Sequence, residues 1–152
     1  MRALVFGLSL LLVRGADAQC PAEARGDSVA QEDSARVVLR IPSVWRDFMP
    51  LKTTPDGGSD LMVALSFQNP DSGKVRIGVA VARTWVRFHG DWVPLSVDRP
   101  WTSWDSIQVA TAARHGPFWP VGSLVDVVVE WQPQSGRVHC TLFRGLRIEE
   151  TM

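Results

Sequence analysis

The sequence predicts an all-β protein: a single antiparallel β-sandwich of about seven to eight strands, immunoglobulin-like in arrangement, behind an N-terminal signal peptide. Three observations carry that expectation. Apolar side chains recur with a period of two in several short segments, as in strands that bury one face. Clusters of Gly, Pro, Asn, Asp and Ser separate those segments. Nowhere after residue 18 does an i, i+3, i+4, i+7 apolar stripe run for the length of a helix. Short strands with turns between them pack most simply as a sandwich, with a small barrel as the alternative.

Residues 1–18 read as an export leader. Arg2 supplies a positive start, residues 3–13 form an apolar run too short to anchor in a bilayer, and Ala16 and Ala18 flank Asp17 as a small-x-small cleavage site. A cut between Ala18 and Gln19 is expected. It would leave the mature protein in the periplasm or outside the cell, with no membrane insertion. A lipoprotein is excluded because Asp17 stands three residues before Cys20, where a lipobox needs an aliphatic side chain. Residues 19–36 are rich in charge (Glu23, Arg25, Asp27, Glu32, Asp33, Arg36) and poor in large apolar groups, so they read as a polar flexible linker. The domain proper is expected over 37–152.

Within that domain, residues 37–41 form a short strand that Pro42 ends, and residues 44–50 are aromatic-rich and irregular. A glycine turn at 54–60 leads into 61–67, where Leu61, Val63, Leu65 and Phe67 point one way and smaller residues the other. After a turn at 68–73, residues 75–83 alternate again, with Val75, Ile77, Val79 and Val81 opposite the smooth row Gly78, Ala80 and Ala82. Residues 84–88 and 92–95 flank His89, Gly90 and Asp91 as a hairpin. Residues 98–105 are a loop, 107–113 a weaker strand and 114–120 a proline-locked turn.

The best-specified stretch is 121–143. Val125, Val127, Val129 and Trp131 share one parity, Asp126 and Glu130 the other, which therefore reads as a solvated face. Residues 132–136 break the chain with Pro133 and Gly136. In the return arm Val138, Cys140 and Leu142 share a face, which aims Cys140 at the core and His139 at solvent. Residues 146–148 read as a last edge strand. Two cysteines in an exported chain suggest a Cys20–Cys140 disulfide, the alternative being two unrelated thiols.

The chain holds 16 basic and 16 acidic residues. Losing Arg2, Arg14 and Asp17 with the leader leaves a balance of one negative charge, which draws the protein neither to nucleic acid nor to an anionic membrane. Catalytic motifs fail on inspection. Gly26, Asp27, Ser28 and Val29 approximate the nucleophile block of one esterase class, but no Asp-x-x-His supplies the activating base. Ser72, Gly73 and Lys74 hint at a phosphate loop, but Gln68 stands where that loop needs Gly and Val75 where it needs a hydroxyl. His89, His115 and His139 have no ligand spacing, and the chain has no Cys-x-x-Cys, so no metal and no cofactor is expected. Asp126 and Glu130 lie about 13 Å apart along a strand, too far for a glycosidase pair.

Seven tryptophans and no tyrosine are the unusual feature. Trp85, Trp92 and Trp131 fall on strands and read as core. Trp45, Trp101, Trp104 and Trp119 fall in loops and, with Phe48, form the candidate binding set, able to stack on sugar faces or to anchor a protein. Around residues 45–50 and 116–129 the chain resembles small exported bacterial proteins without an assigned activity. The resemblance implies a secreted β-sandwich and brings no catalytic or binding residue with it.

The expected function is that of a non-enzymatic exported module whose loop aromatics bind a protein or an envelope glycan. One alternative is an assembly domain that pairs an exposed edge strand, at 37–41 or 146–148, with a neighbour. Another is a hydrolase or metal enzyme, which would need His89 to converge with Asp91 or His115 with Asp105.

Overall fold

The computed structural model of the chain describes residues 20, 24, 29–32, 35–47, 58–69, 78–98, 101–102, 108–133 and 137–151. These form ten strands: β1 (Val29–Glu32), β2 (Ala35–Leu39), β3 (Ser43–Asp47), β4 (Leu61–Gln68), β5 (Val79–Arg87), β6 (Val93–Val97), β7 (Trp101–Thr102), β8 (Gln108–Gly116), β9 (Leu124–Pro133) and β10 (His139–Thr151). There is no helix among the described residues, as the sequence implies.

The strands do not make an immunoglobulin-like sandwich. Hydrogen bonding runs without a gap through β3-β4-β8-β6-β5-β9-β10 and back to β3, so the sheet closes into a seven-stranded barrel. Two short strands accomplish the closure by serving two neighbours each. Ser43, Val44 and Trp45 of β3 pair with β4, while Val44 to Asp47 pair in parallel with Ile148 to Thr151 of β10. Val93 to Leu95 of β6 pair with β5, and Ser96 and Val97 with β8. In a sandwich these would be open edges; sharing them removes the edges. The in-and-out alternation is the same for both architectures, which is why the pattern did not separate them.

Outside the ring, β1 and β2 form a hairpin attached to β4 through Val38↔Gln68 and Leu39↔Phe67. β1 falls within the stretch read as a linker. β7 continues the line of β6 along β8. Both segments nominated as free edges are occupied: β2 lies between β1 and β4, and Leu146 to Ile148 belong to β10, which is bonded to β9 and β3.

The interior is filled as the alternation predicts. Leu61, Val63, Leu65 and Phe67 of β4 and Val125, Val127, Val129 and Trp131 of β9 are all buried. The Trp131 ring tilts against Phe67 at 5.1 Å, and its Nε1 donates to Thr141 Oγ1 at 3.1 Å. That bond corrects the expected parity of β10. Thr141 is the inward residue, Cys140 is only half-buried, and His139 stacks on Trp131 at 4.8 Å instead of facing solvent. Of the other strand tryptophans, Trp85 and Trp92 are half-buried, with Trp85 on the outer parity between the buried Thr84 and Val86.

Asp126 and Glu130 are not a solvated face either. Glu130 is 5% exposed, and its Oε2 has no hydrogen-bond partner among the described residues. Asp126 takes Arg87 at 3.0 Å and the Gly145 amide at 3.1 Å. It thereby pins a bulge in β10 where Gly145 adopts a positive φ of 65°.

Arg46 closes one end of the barrel. It follows Val44 on the inward parity and is 1% exposed. Its Nε donates to the Ser59 carbonyl at 2.7 Å and its Nη1 to the Trp119 carbonyl at 3.1 Å, while the guanidinium lies 5.4 Å from the Phe118 ring centroid. A buried cation that donates to carbonyl oxygens ties the 59–60 and 117–120 segments to β3. The disulfide is formed: Cys20 and Cys140 are joined, their Cα atoms 5.8 Å apart across a sequence separation of 120.

Candidate binding groove

The outer face of β3, β4 and β8 is concave because of which residues fall on the outward parity. In the middle of β4 those are Ala64 and Ser66, with Met62 and Gln68 at its ends; in β8 they include Ala110, Ala112 and Arg114, since Thr111 and Ala113 point inward and are buried. The register aligns them in rows: Ser43–Ala64–Ala112, and next to it Ser66–Ala110. The floor thus rises no higher than a methyl or a hydroxyl. Trp45, half-buried and paired with Met62, stands at one side, with Ile41 near it at 74% exposure. Arg114 stands at the other. Together they bound a groove of about 400 Å³.

The Arg114 guanidinium is held in place. Its Nε lies 2.5 Å from Asp98 Oδ2 and its Nη1 is 3.0 Å from Met62 Sδ. Both members of the ion pair are nearly half exposed, 44% and 46%, so the pair contributes only about 0–1 kcal/mol to stability. What it does is fix a charged rim at a set position and neutralise it. Asp98 is fixed in turn, because its carbonyl accepts Thr111 Oγ1 at 2.6 Å and its amide donates to the Ala112 carbonyl at 2.8 Å.

Among the described residues, Trp45 is the aromatic candidate that lines this groove. Trp101 brings its backbone alongside, paired with Ala110 in β7. Trp119 lies elsewhere, half-buried at the barrel end and 5.7 Å from the Phe88 ring. Phe48 and Trp104 lie outside the described residues. Trp45 lines the groove and Trp119 does not. The floor is inconspicuous in the sequence because it has no large or titratable side chain, and the Arg114–Asp98 pair because its members lie 16 residues apart. The signal available was the row of small residues opposite the core face of 61–67 and 107–113.

The histidines sit in three separate settings. His89 is exposed in the turn after β5, its ring 4.0 Å from that of Phe88. His115 pairs with Asp60 at 2.8 Å; Asp105, the partner nominated from sequence, lies outside the described residues. His139 is stacked on Trp131. No group of three or more His, Cys, Asp or Glu side chains that could hold a metal ion occurs among the described residues. No helix among them is long and apolar enough to cross a membrane.

Comparison of the chain with protein-family models, with curated proteins and with solved structures returned no match.

Proposed function

We propose that this protein is a non-enzymatic exported binding module that engages a component of the cell envelope through the groove on β3, β4 and β8. The observation that carries the reading is the groove itself. Trp45 on β3 and Arg114 on β8, the latter paired with Asp98, bound a floor of small side chains. Few convergent polar groups in a partly apolar concavity are the usual composition of a ligand site. Export is supported by the leader-like residues 1–18 and by the Cys20–Cys140 disulfide, which persists in oxidising compartments. The assembly reading is the weaker one, because the edges it needed are hydrogen-bonded on both sides.

Two measurements test the proposal. Expression with the native leader in a bacterium, followed by fractionation and N-terminal sequencing, should recover a chain beginning at Gln19 from the periplasm or medium. Purified protein incubated with isolated cell-wall and outer-envelope material should sediment with it, and Ala112→Leu, which fills the groove from its floor, should abolish that. Equal sedimentation of the variant would remove the groove from the function.

A further inference from the structure

We infer that the groove takes a neutral saccharide; the inference rests on the groove being the binding site. Charge narrows the ligand first. Among the described residues that line the groove, Arg114 is the one ionisable group, which disfavours a cation. Its charge is met by Asp98 Oδ2 at 2.5 Å, so an entering anion finds as much negative as positive charge at the rim. A neutral ligand fits that balance best.

Shape narrows it next. The strands under the groove, β4 and β8, are bonded on both sides, so a peptide cannot add there as a strand. About 400 Å³ lies at the low end of small-molecule sites, about 300–1,000 Å³. Protein partners bury on the order of 800 Å² on each side, more than so small a hollow provides.

Chemistry then matches a sugar ring on both of its characters. Its C–H face can lie on the electron-rich face of Trp45 and on the methyls of Ala64 and Ala112. Its hydroxyls, each donor and acceptor, meet the Ser66 hydroxyl and the Arg114 guanidinium in the groove, with the Asp98 carboxylate beside Arg114 at the rim. Because Arg114 is held between Asp98 and Met62, these groups need little ordering when the ligand arrives.

The test is calorimetric titration of the disulfide-bonded mature protein with neutral oligosaccharides (cello-, chito- and mannotetraose), with an acidic uronate tetramer, and with an array of random hexapeptides. The expected result is saturable binding of at least one neutral oligosaccharide, no binding of the uronate, and a tenfold or greater loss in each of Trp45→Ala, Ala112→Leu and Arg114→Ala, with melting curves confirming that each variant is folded. Peptide or uronate binding that Ala112→Leu abolishes, without any sugar binding, would overturn the saccharide and leave the groove as the site. Ligands of every class bound equally by wild type and Ala112→Leu, or no binding at all, would overturn both.

Discussion

Two threonines inside the barrel make opposite predictions for the same substitution. Thr84, on β5, is fully buried in register with Leu95 and Val129, and its Oγ1 has no hydrogen-bond partner among the described residues. Thr141, on β10, is 3% exposed, and its Oγ1 accepts the Trp131 indole N–H at 3.1 Å. Valine has nearly the shape of threonine and keeps the β-branch that a strand favours, so packing changes little in either case. At Thr84 the substitution removes an unsatisfied hydroxyl, whose burial costs about 1–3 kcal/mol, and replaces it with a methyl that gains from burial. Thr84→Val should therefore stabilise the protein by about 1–3 kcal/mol. At Thr141 the same change orphans the Trp131 N–H in a fully buried site, so Thr141→Val should cost about 1–3 kcal/mol. For a chain of this length each kcal/mol moves the midpoint of melting by about 2–4 °C. Urea titrations followed by tryptophan emission, with slopes checked to be equal, measure both free energies. Should Thr84→Val lose stability alongside Thr141→Val, the Thr84 hydroxyl has a partner after all, and the reasoning from its isolation is refuted.

Replacing Cys20 and Cys140 by serine removes a cross-link over 120 residues, which chain entropy values at about 4–5 kcal/mol; urea midpoints of wild type with and without reductant should show a loss of that order, and a difference under about 1 kcal/mol would mean the denatured chain gains little freedom. A Cβ at Gly116 would sit 2.9 Å from Leu95 Cδ2 and 3.0 Å from the Leu61 carbonyl oxygen, so Gly116→Ala displaces the Leu95 methyl and crowds Leu61 on β4, and should cost about 1–3 kcal/mol by the same titration. His115 holds a φ of 64°, which asparagine tolerates and a β-branched residue does not, so His115→Val should be less stable than His115→Asn by about 1–2 kcal/mol; equal melting temperatures would show that the backbone there relaxes.

Much of the fold can be read from residue order because it is local. The alternation in 61–67 and 125–131 places Leu61, Val63, Leu65, Phe67, Val125, Val127, Val129 and Trp131 inside, and all of them are there. The β5–β6 hairpin around Gly90, which has a φ of 75°, follows from turn chemistry. The Cys20–Cys140 pair follows from counting cysteines. In β10 the same logic errs by one residue. Val138, Cys140 and Leu142 are the more apolar parity, yet Thr141 points inward, because a buried Trp131 needs an acceptor and Thr141 provides it. Polarity along one strand cannot announce a bond made by another.

The groove was half legible. Trp45 stands out as a large ring in a stretch that reads as irregular but forms β3, whereas Ala64, Ser66, Ala110 and Ala112 are inconspicuous until β4 and β8 are laid side by side. Burial of Glu130, likewise, depends on what lies over the outer face of the barrel, and nothing within residues 124–133 records it.

Residue order by itself determined that the chain is built of strands, which side of several of them is apolar, and where most turns fall. These depend on the dihedral preferences and side-chain polarity of neighbours a few positions apart. Only the tertiary structure decided that β3 and β6 each bond on two sides and so close a barrel in place of a sandwich, and that a row of small side chains from two strands becomes a hollow. Main-chain hydrogen bonds between distant segments draw on the same donors and acceptors whatever the side chains, so their pairing is set by the packing of the whole and leaves no local mark.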